Sequence, residues 1–419
     1  MQFAHYWLPE EAVEEEELAE YADSLKQNVS TWLTASLAET AKVTVMFSGG
    51  EDSRALINLL PAGPEYQLKT IVDGVNREYR LAQRSARKLG YPVKLIERPM
   101  GHYSQDIVEK VLWAGAGLDV RHYHIFNKTA DIVGDSAALV GGLGSDKLFK
   151  SLFMNNVGNK QKTGFLPETL LSEYGLVPTN IGLPKDLGWL NQPLQDAVWQ
   201  RRTAHHEKIL TFRPRTAGNW HTLWPLGWHS PGHSQFLNNM RFGPRVVEPF
   251  IASRNYRLAA RIPEKYKIDR KLFNAAFLPL MGAASWVPTT SGRVPAITGV
   301  NGRAVQFCIK SWRVMLDELL KYISKEKYIS QGPWGNDHKY FLVKSPEDVL
   351  GKERADMLND LIGKITIGKS AELFWQQSGK SAQERKVLSL QVGALFNASS
   401  NLLRNEKFSQ SFRLSADTT

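Results

Sequence analysis

Apolar positions in the first forty residues recur at helical spacing, at Leu18, Tyr21, Leu25, Val29, Trp32 and Leu33, and predict a helix. The period then changes. Lys42–Phe47 is a short run rich in β-branched residues, ended by Ser48-Gly49-Gly50, and predicts a strand. Helix resumes over Asp52–Leu60. The alternation continues with strand Leu68–Val72, helix Arg77–Leu89, strand Pro92–Ile96 and helices Ser104–Trp113 and Arg121–Val133. A fourth strand, Ala137–Val140, runs into Gly141-Gly142-Leu143-Gly144. Strands separated by helices at short spacing predict an α/β protein with a doubly wound parallel sheet.

From about residue 150 the alternation stops. Residues 155–235 are rich in Gly, Pro, Asn and Trp and show no sustained period. Beyond Ser234 the pattern is mainly helical, over Gln235–Met240, Ile251–Arg261, Lys271–Leu280, Arg303–Glu326, Pro346–Ile362 and Gln383–Arg404, with a loop or hairpin at Thr289–Gly302. The shifts divide the chain into a helical segment at 1–40, a sheet domain at 41–150 and an irregular and helical region at 151–302. A helical C-terminal lobe at 303–404 and a polar, frayed tail at 405–419 complete it.

Composition narrows the class. Among 419 residues, 42% are hydrophobic and 22% charged, which excludes a wholly disordered, collagen-like or coiled-coil chain. No apolar run is long enough for a membrane-spanning helix. Met1–Glu20 is acidic and has no lysine or arginine, unlike a secretory or transit peptide, so a cytoplasmic protein is expected. The single cysteine, Cys308, excludes intramolecular disulfides, CxxC redox chemistry and cysteine-held clusters. It lies among Val305, Trp312, Met315, Leu316, Leu319, Leu320 and Ile323 at helical spacing, which predicts a buried thiol. Residues 1–40 carry a net charge of −8, so the remainder carries +18 of the overall +10. A basic body suits an anionic ligand such as ATP or a nucleic acid.

The most informative segment is Ser48-Gly49-Gly50-Glu51-Asp52-Ser53, where a strand passes into a helix within a few residues. Such a turn is an anion cradle: successive amides face one point, glycines allow close approach, and the helix start adds partial positive charge. Ser48 and Ser53 supply hydroxyls, and Asp52 can hold a divalent cation or cap the helix. An ordinary capped strand–turn–helix is the bland alternative.

SGGxDS after a strand resembles the PP-loop of the ATP pyrophosphatase superfamily, whose fold is the adenine nucleotide alpha hydrolase type. A second segment, Gly142-Leu143-Gly144-Ser145-Asp146-Lys147-Leu148-Phe149, resembles the G-E-G-[SA]-D-E-x-F signature of the asparagine synthetase synthetase domain. Looser likeness extends through Asp119-Val-Arg121, Val246–Ile251, Leu258–Pro263 and Lys271-Leu-Phe, so it covers roughly residues 40–300. The resemblance implies ATP and Mg²⁺ as cofactors, with Asp52 and Asp146 as metal ligands. It places Ser48, Gly49, Gly50, Asp52, Ser53, Gly142 and Gly144 around the nucleotide and Asp52 and Asp146 in catalysis. The switch-point logic of an open sheet adds Val72 beside the adenine, and Lys147 is expected to act in catalysis by stabilising developing charge.

It further implies AMP-forming ligation. A carboxylate or amide substrate is adenylated at the α-phosphorus, pyrophosphate leaves, and an amine or ammonia displaces AMP. The departures are specific. Position 2 is Gln2 where the glutaminase domain needs a cysteine nucleophile, and nothing resembling that domain precedes the loop, so a separate amidotransferase is a compatible partner. Leu143 and Lys147 stand where the signature has glutamates, and Val287–Gly292 lacks the expected lysine, leaving Arg293 as a substitute. Two further readings stay open: a base-modifying enzyme acting on tRNA or DNA, and a nucleotide-binding relative without catalysis.

Other signals are weaker. Gly363–Ser370 fits the Walker A pattern by letter, but its lead-in has helical spacing and its interior is bulky, so it reads as accidental. His122, His124, His205, His206, His221, His229 and His233 lack metal-ligand spacing. Trp189, Trp199, Trp220, Trp224 and Trp228, amid Arg201, Arg202, Arg213 and Arg215, can stack bases but read first as core.

Overall fold

The structure is a computed structural model describing residues 7–12, 14, 16–99, 102, 107–114, 129–150, 190–214, 220, 223–224, 245–324, 329–333, 346–366, 370–376 and 380–395. After helix α1 (Leu18–Leu37) come β1 (Lys42–Met46), α2 (Glu51–Ile57), β2 (Glu65–Val72), α3 (Arg77–Lys88) and β3 (Val93–Glu97). Helices α4 (Ile107–Ala114) and α5 (Thr129–Val133) lead to β4 (Ala138–Val140), α6 (Ser145–Leu148), α7 (Gln192–Phe212) and β5 (Arg245–Val247).

All strands are parallel, in the order β3-β2-β1-β4-β5. Strand alternation sorts side chains to two faces. Val43, Val45, Leu68, Ala138 and Val140 join Ala55 and Leu56 of α2 and Ala82 and Ala86 of α3 in the main core. Ile71, Ile96 and Leu139 meet Ile132 of α5 on the other face. Thr44, also on that face, donates its hydroxyl to the Ile132 carbonyl at 3.2 Å. The sheet is therefore covered on both sides, as a Rossmann-like α/β fold requires.

Beyond β5 the chain is helical: α8 (Ser253–Arg261), α9 (Glu264–Lys267), α10 (Lys271–Met281), α11 (Gly299–Ser324), α12 (Pro346–Leu350), α13 (Lys352–Ile365), α14 (Ala371–Gln376) and α15 (Lys380–Leu395). Tyr21, Leu25, Val29 and Leu33 of α1 share the main core with Phe250, Phe273 and Phe277. A second core joins Ile107 and Val111 of α4 to Leu350, Leu358, Ile362, Phe374 and Leu390. No helix among the described residues is long and apolar enough to cross a membrane.

Four expectations need correction. The stretch read as irregular contains α7, whose N-terminus is capped by the Asn191 side chain accepting from Leu194 N at 3.2 Å. The helix expected over Pro346–Ile362 breaks at Gly351, whose left-handed φ of 78° ends α12 before α13 starts. Cys308 is exposed, because α11 turns Gln306, Arg313 and Asp317 inward and leaves Trp312, Met315 and Leu319 outward. Trp32 projects from the apolar stripe of α1 and is half-exposed.

The accidental reading of the Walker-like stretch fits its surroundings: Gly363 lies inside α13, where a phosphate loop would follow a strand. Residues 367–369 of that stretch lie outside the described residues, as do Asp119, Arg121, His122, His124, Trp189, Arg215, His221, Trp228, His229, His233, the 235–240 segment and the 405–419 tail.

Candidate functional site

The strand order places both glycine-rich loops together. From β1 the chain steps outward to β2 and β3, then returns to the opposite flank of β1 as β4. Val43, Thr44 and Val45 pair with Ala138, Leu139 and Val140, so the two strands end level. Their following loops, Ser48–Ser53 and Gly141–Lys150, flank the point where the winding reverses, the ligand crevice of open α/β sheets.

The loop after β1 is knitted together by its own polar groups. Gly50 N donates to Ser48 Oγ at 3.1 Å, and Ser53 Oγ donates to the Ser48 carbonyl at 3.1 Å. Gly49 N does not face an open crevice; it donates to Glu78 Oε1 of α3 at 2.6 Å. A Cβ on Gly49 would lie 2.8 Å from Thr290 Oγ1 and 3.1 Å from Glu78 Oε2, so the 287–293 segment closes directly over the loop. Both of those oxygens are buried and make no hydrogen bond. Burial pushes the Glu78 carboxyl up to about 7, against the Gly49 amide and nearby arginines.

Arg54 and Glu51 fix that closure. Buried Arg54 donates to the carbonyls of Gly49 at 2.9 Å, Ala284 at 3.1 Å, Val287 at 2.5 Å and Pro288 at 2.9 Å. Glu51 accepts from Arg293 Nε at 2.7 Å and lies 3.5 Å from Arg270 Nε. Burial opposes its charge, but Arg270, Lys150 and Arg293 together hold its carboxyl below the usual range. Arg293, the expected stand-in for a missing lysine, is thus engaged by Glu51.

Asp52 crosses to the second loop. Ser145 Oγ donates to Asp52 Oδ1 at 2.5 Å, and Lys150 Nζ donates to the same oxygen. Lys150 Nζ also lies 3.2 Å from Asp146 Oδ1 and 3.9 Å from the ring centre of Phe273. Gly142 must be glycine for this approach, since its Cβ would stand 2.9 Å from Asp52 Cβ. Gly144 has φ of 87°, and its Cβ would stand 2.3 Å from Ile251 Cγ2. Asp146 is half-exposed, and Lys150 holds its carboxyl below the usual aspartate range. Burial pulls Lys147 down to about 8 despite Asp146 beside it. For Lys150 burial also opposes charge, but Asp52, Asp146 and Glu51 outweigh it and raise its pKa.

The structure thus brings Asp52, Ser145 and Asp146 together around Lys150, a residue with no role in the sequence reading. Its i,i+4 spacing from Asp146 was the one readable signal. Glu248 was missed as well. It follows β5, accepts from Leu143 N at 2.8 Å, and its carboxylate fills the space that a Cβ on Gly141 would need. Desolvation pushes it up to about 7, although its side chain keeps some solvent contact. A carboxylate therefore reaches the turn at Leu143 from a neighbouring strand.

Val72 has a fully buried side chain at the exit of β2. That exit is bordered by a distant segment: Asn76 Nδ2 donates to the carbonyls of Ser330 at 2.7 Å and Gly332 at 3.1 Å. Among the aromatic candidates, Trp220 and Trp224 are buried, with Arg213 stacked 4.9 Å over Trp220, so they belong to the core.

The fit to a divalent cation is poor in this arrangement. Mg²⁺ requires oxygen ligands at about 2.0–2.1 Å in near-octahedral geometry. Among the described residues no group of three His, Cys, Asp or Glu is placed to hold a metal ion. The two carboxylates that do converge meet at the Lys150 ammonium. Compared with known proteins, no family model matches the chain, and no curated protein is similar enough to count as a match.

Proposed function

We propose that the crevice between β1 and β4 binds ATP and that the protein is an AMP-forming ligase of the asparagine synthetase-like kind. The observation that carries this reading is the meeting of both motif loops at the reversal point of the sheet, with Asp52 of one bound to Ser145 of the other. Ser48, Gly49, Gly50 and Ser53 contact the outer phosphates, with Gly142 and Gly144 holding the second loop close. The backbone at Val72 borders the adenine. Lys147 balances phosphate charge, the main protein contribution to such transfers. A substrate carboxylate oxygen bonds to the α-phosphorus and pyrophosphate departs. An amine or ammonia then attacks the acyl carbon, loses a proton and releases AMP to leave the amide, whereas an adenylated amide would give an amidine. Glu248, near neutral in pKa, is the group best placed to accept the proton lost by the amine.

A second reading, a nucleotide-binding protein without turnover, is favoured by two observations: Glu78 holds the Gly49 amide, and Lys150 holds the carboxylate pair. The buried positions of Trp220 and Trp224 give no support to a base-stacking surface there. Incubation with ATP, Mg²⁺, ammonia and a panel of carboxylates is expected to release pyrophosphate and AMP in equal amounts. ATP binding with no pyrophosphate from any carboxylate would favour the second reading; no ATP binding would overturn both.

A further inference from the structure

Lys150 follows α6 and its side chain is 3% exposed. Its ammonium touches Asp52 Oδ1, lies 3.2 Å from Asp146 Oδ1 and is covered by the Phe273 ring at 3.9 Å. The charged groups facing it are Asp52, Asp146 and Glu51, which attract it, and Arg270, which repels it. Two carboxylates from different loops, Asp52 and Asp146, therefore converge on one cationic point, and the chain itself supplies the cation there. An ammonium offers three donors and one charge but no ligand atom. A divalent ion at that point would have to expel a buried ammonium or lie beside it, and like charges so close repel strongly.

We propose that Lys150 is the resident counter-cation of the Asp52–Asp146 pair and excludes a free divalent cation from it. Removal of its charge then uncovers a divalent-cation site. The inference concerns the carboxylate pair alone and stands whether or not the crevice turns over a nucleotide, so pyrophosphate release does not decide it.

The probe is Mn²⁺, titrated into the full chain without nucleotide and followed by loss of the free-ion electron paramagnetic resonance signal. Binding that depends on Asp146 is read by comparing each protein with its Asp146→Asn counterpart, since Asp146 is half-exposed and its replacement spares the fold. The wild type is expected to show no Asp146-dependent binding. Lys150→Met, uncharged and of similar length, is expected to bind Mn²⁺ at least about tenfold more tightly than wild type, a gain that Asp146→Asn removes. Asp146-dependent Mn²⁺ binding by wild type overturns the proposal, as does a gain in folded Lys150→Met of less than about tenfold. Should Lys150→Met not fold, Lys150→Gln takes its place, and the wild-type titration by itself still decides: Asp146-dependent Mn²⁺ binding there overturns the proposal.

Discussion

In the loop after β1, the amides of Gly49 and Gly50 and the Ser53 hydroxyl all bond to groups within the loop or on α3. In the loop after β4, Asp146, Lys147 and Lys150 form a charged cluster whose deepest member reaches across to Asp52. The first loop matches a phosphate-binding pattern at every quoted position, yet its hydrogen-bonding capacity is turned inward. The second departs from its pattern at Leu143 and Lys147, yet it supplies the buried cation that meets Asp52. Agreement with a motif therefore predicts backbone shape better than it predicts which groups stand ready for a ligand.

The sharpest test of this contrast sets Asp52 against Asp146. Asp52→Asn leaves the Lys150 ammonium buried with only a half-exposed partner, and breaking a buried pair in this way costs about 3–5 kcal/mol. Asp146→Asn removes the half-exposed partner and is expected to cost less than about 1 kcal/mol. Urea denaturation of both variants measures the difference, and Lys150→Met in the Asp52→Asn background should restore most of the loss. Equal costs would break the comparison.

Next in size is a pH effect confined to the first loop. The carboxyl of Glu78 rises from 4.5 to about 7 on burial, so between those values the folded protein holds a proton that the unfolded chain releases. Stability contributed by this group is therefore lost as pH rises through that window, by about 3 kcal/mol in all. Glu78→Gln keeps an acceptor for the Gly49 amide and removes the titration. Relative to wild type it should be near neutral at pH 4.5 and more stable by up to about 3 kcal/mol at pH 8. Glu248 shifts in the same direction, so wild type and variant must be compared at each pH. Parallel pH curves would show that Glu78 is not the buried acid described.

How much of this was legible follows from the physics of each signal. β1, β2 and β3 carry β-branched residues beside glycine or proline breaks, β4 is a short apolar run before Gly141, and all four emerge close to where the pattern puts them. β5 is no shorter than β4, but Val246–Ile251 reads only as a likeness in sequence and not as a strand, so no role falls to Glu248 at its end. α7 is capped and long but buries few apolar side chains, with Ile209 inside and Trp199 outside, so hydrophobic spacing could not announce it. In α11 the spacing was correct and the direction wrong. The residues it docks on are the carbonyls of Val294, Ile297 and Thr290 and the guanidinium of Arg77, which require polar partners. Lys150 illustrates the same limit, since a tertiary ion pair leaves no periodic trace.

The smallest expected effect tests how tightly the 287–293 segment closes on the first loop. In Gly49→Ala the new methyl meets Thr290 Oγ1 at 2.8 Å and Glu78 Oε2 at 3.1 Å. Gly49 does not have a left-handed φ, so backbone strain adds nothing and the cost is steric. Thr290 is a stiff β-branched side chain and Glu78 is held by the Gly49 amide, so the contact opens by a few tenths of an ångström at a cost of about 1–2 kcal/mol. Thr290→Ala removes the nearer oxygen, which makes no hydrogen bond, and should recover most of that loss in a double-mutant cycle. Additive effects of the two substitutions would mean that Thr290 does not press on Gly49. The closure would then rest on Arg54 and Glu51 alone, and the first loop would be open to a ligand from the Thr290 side.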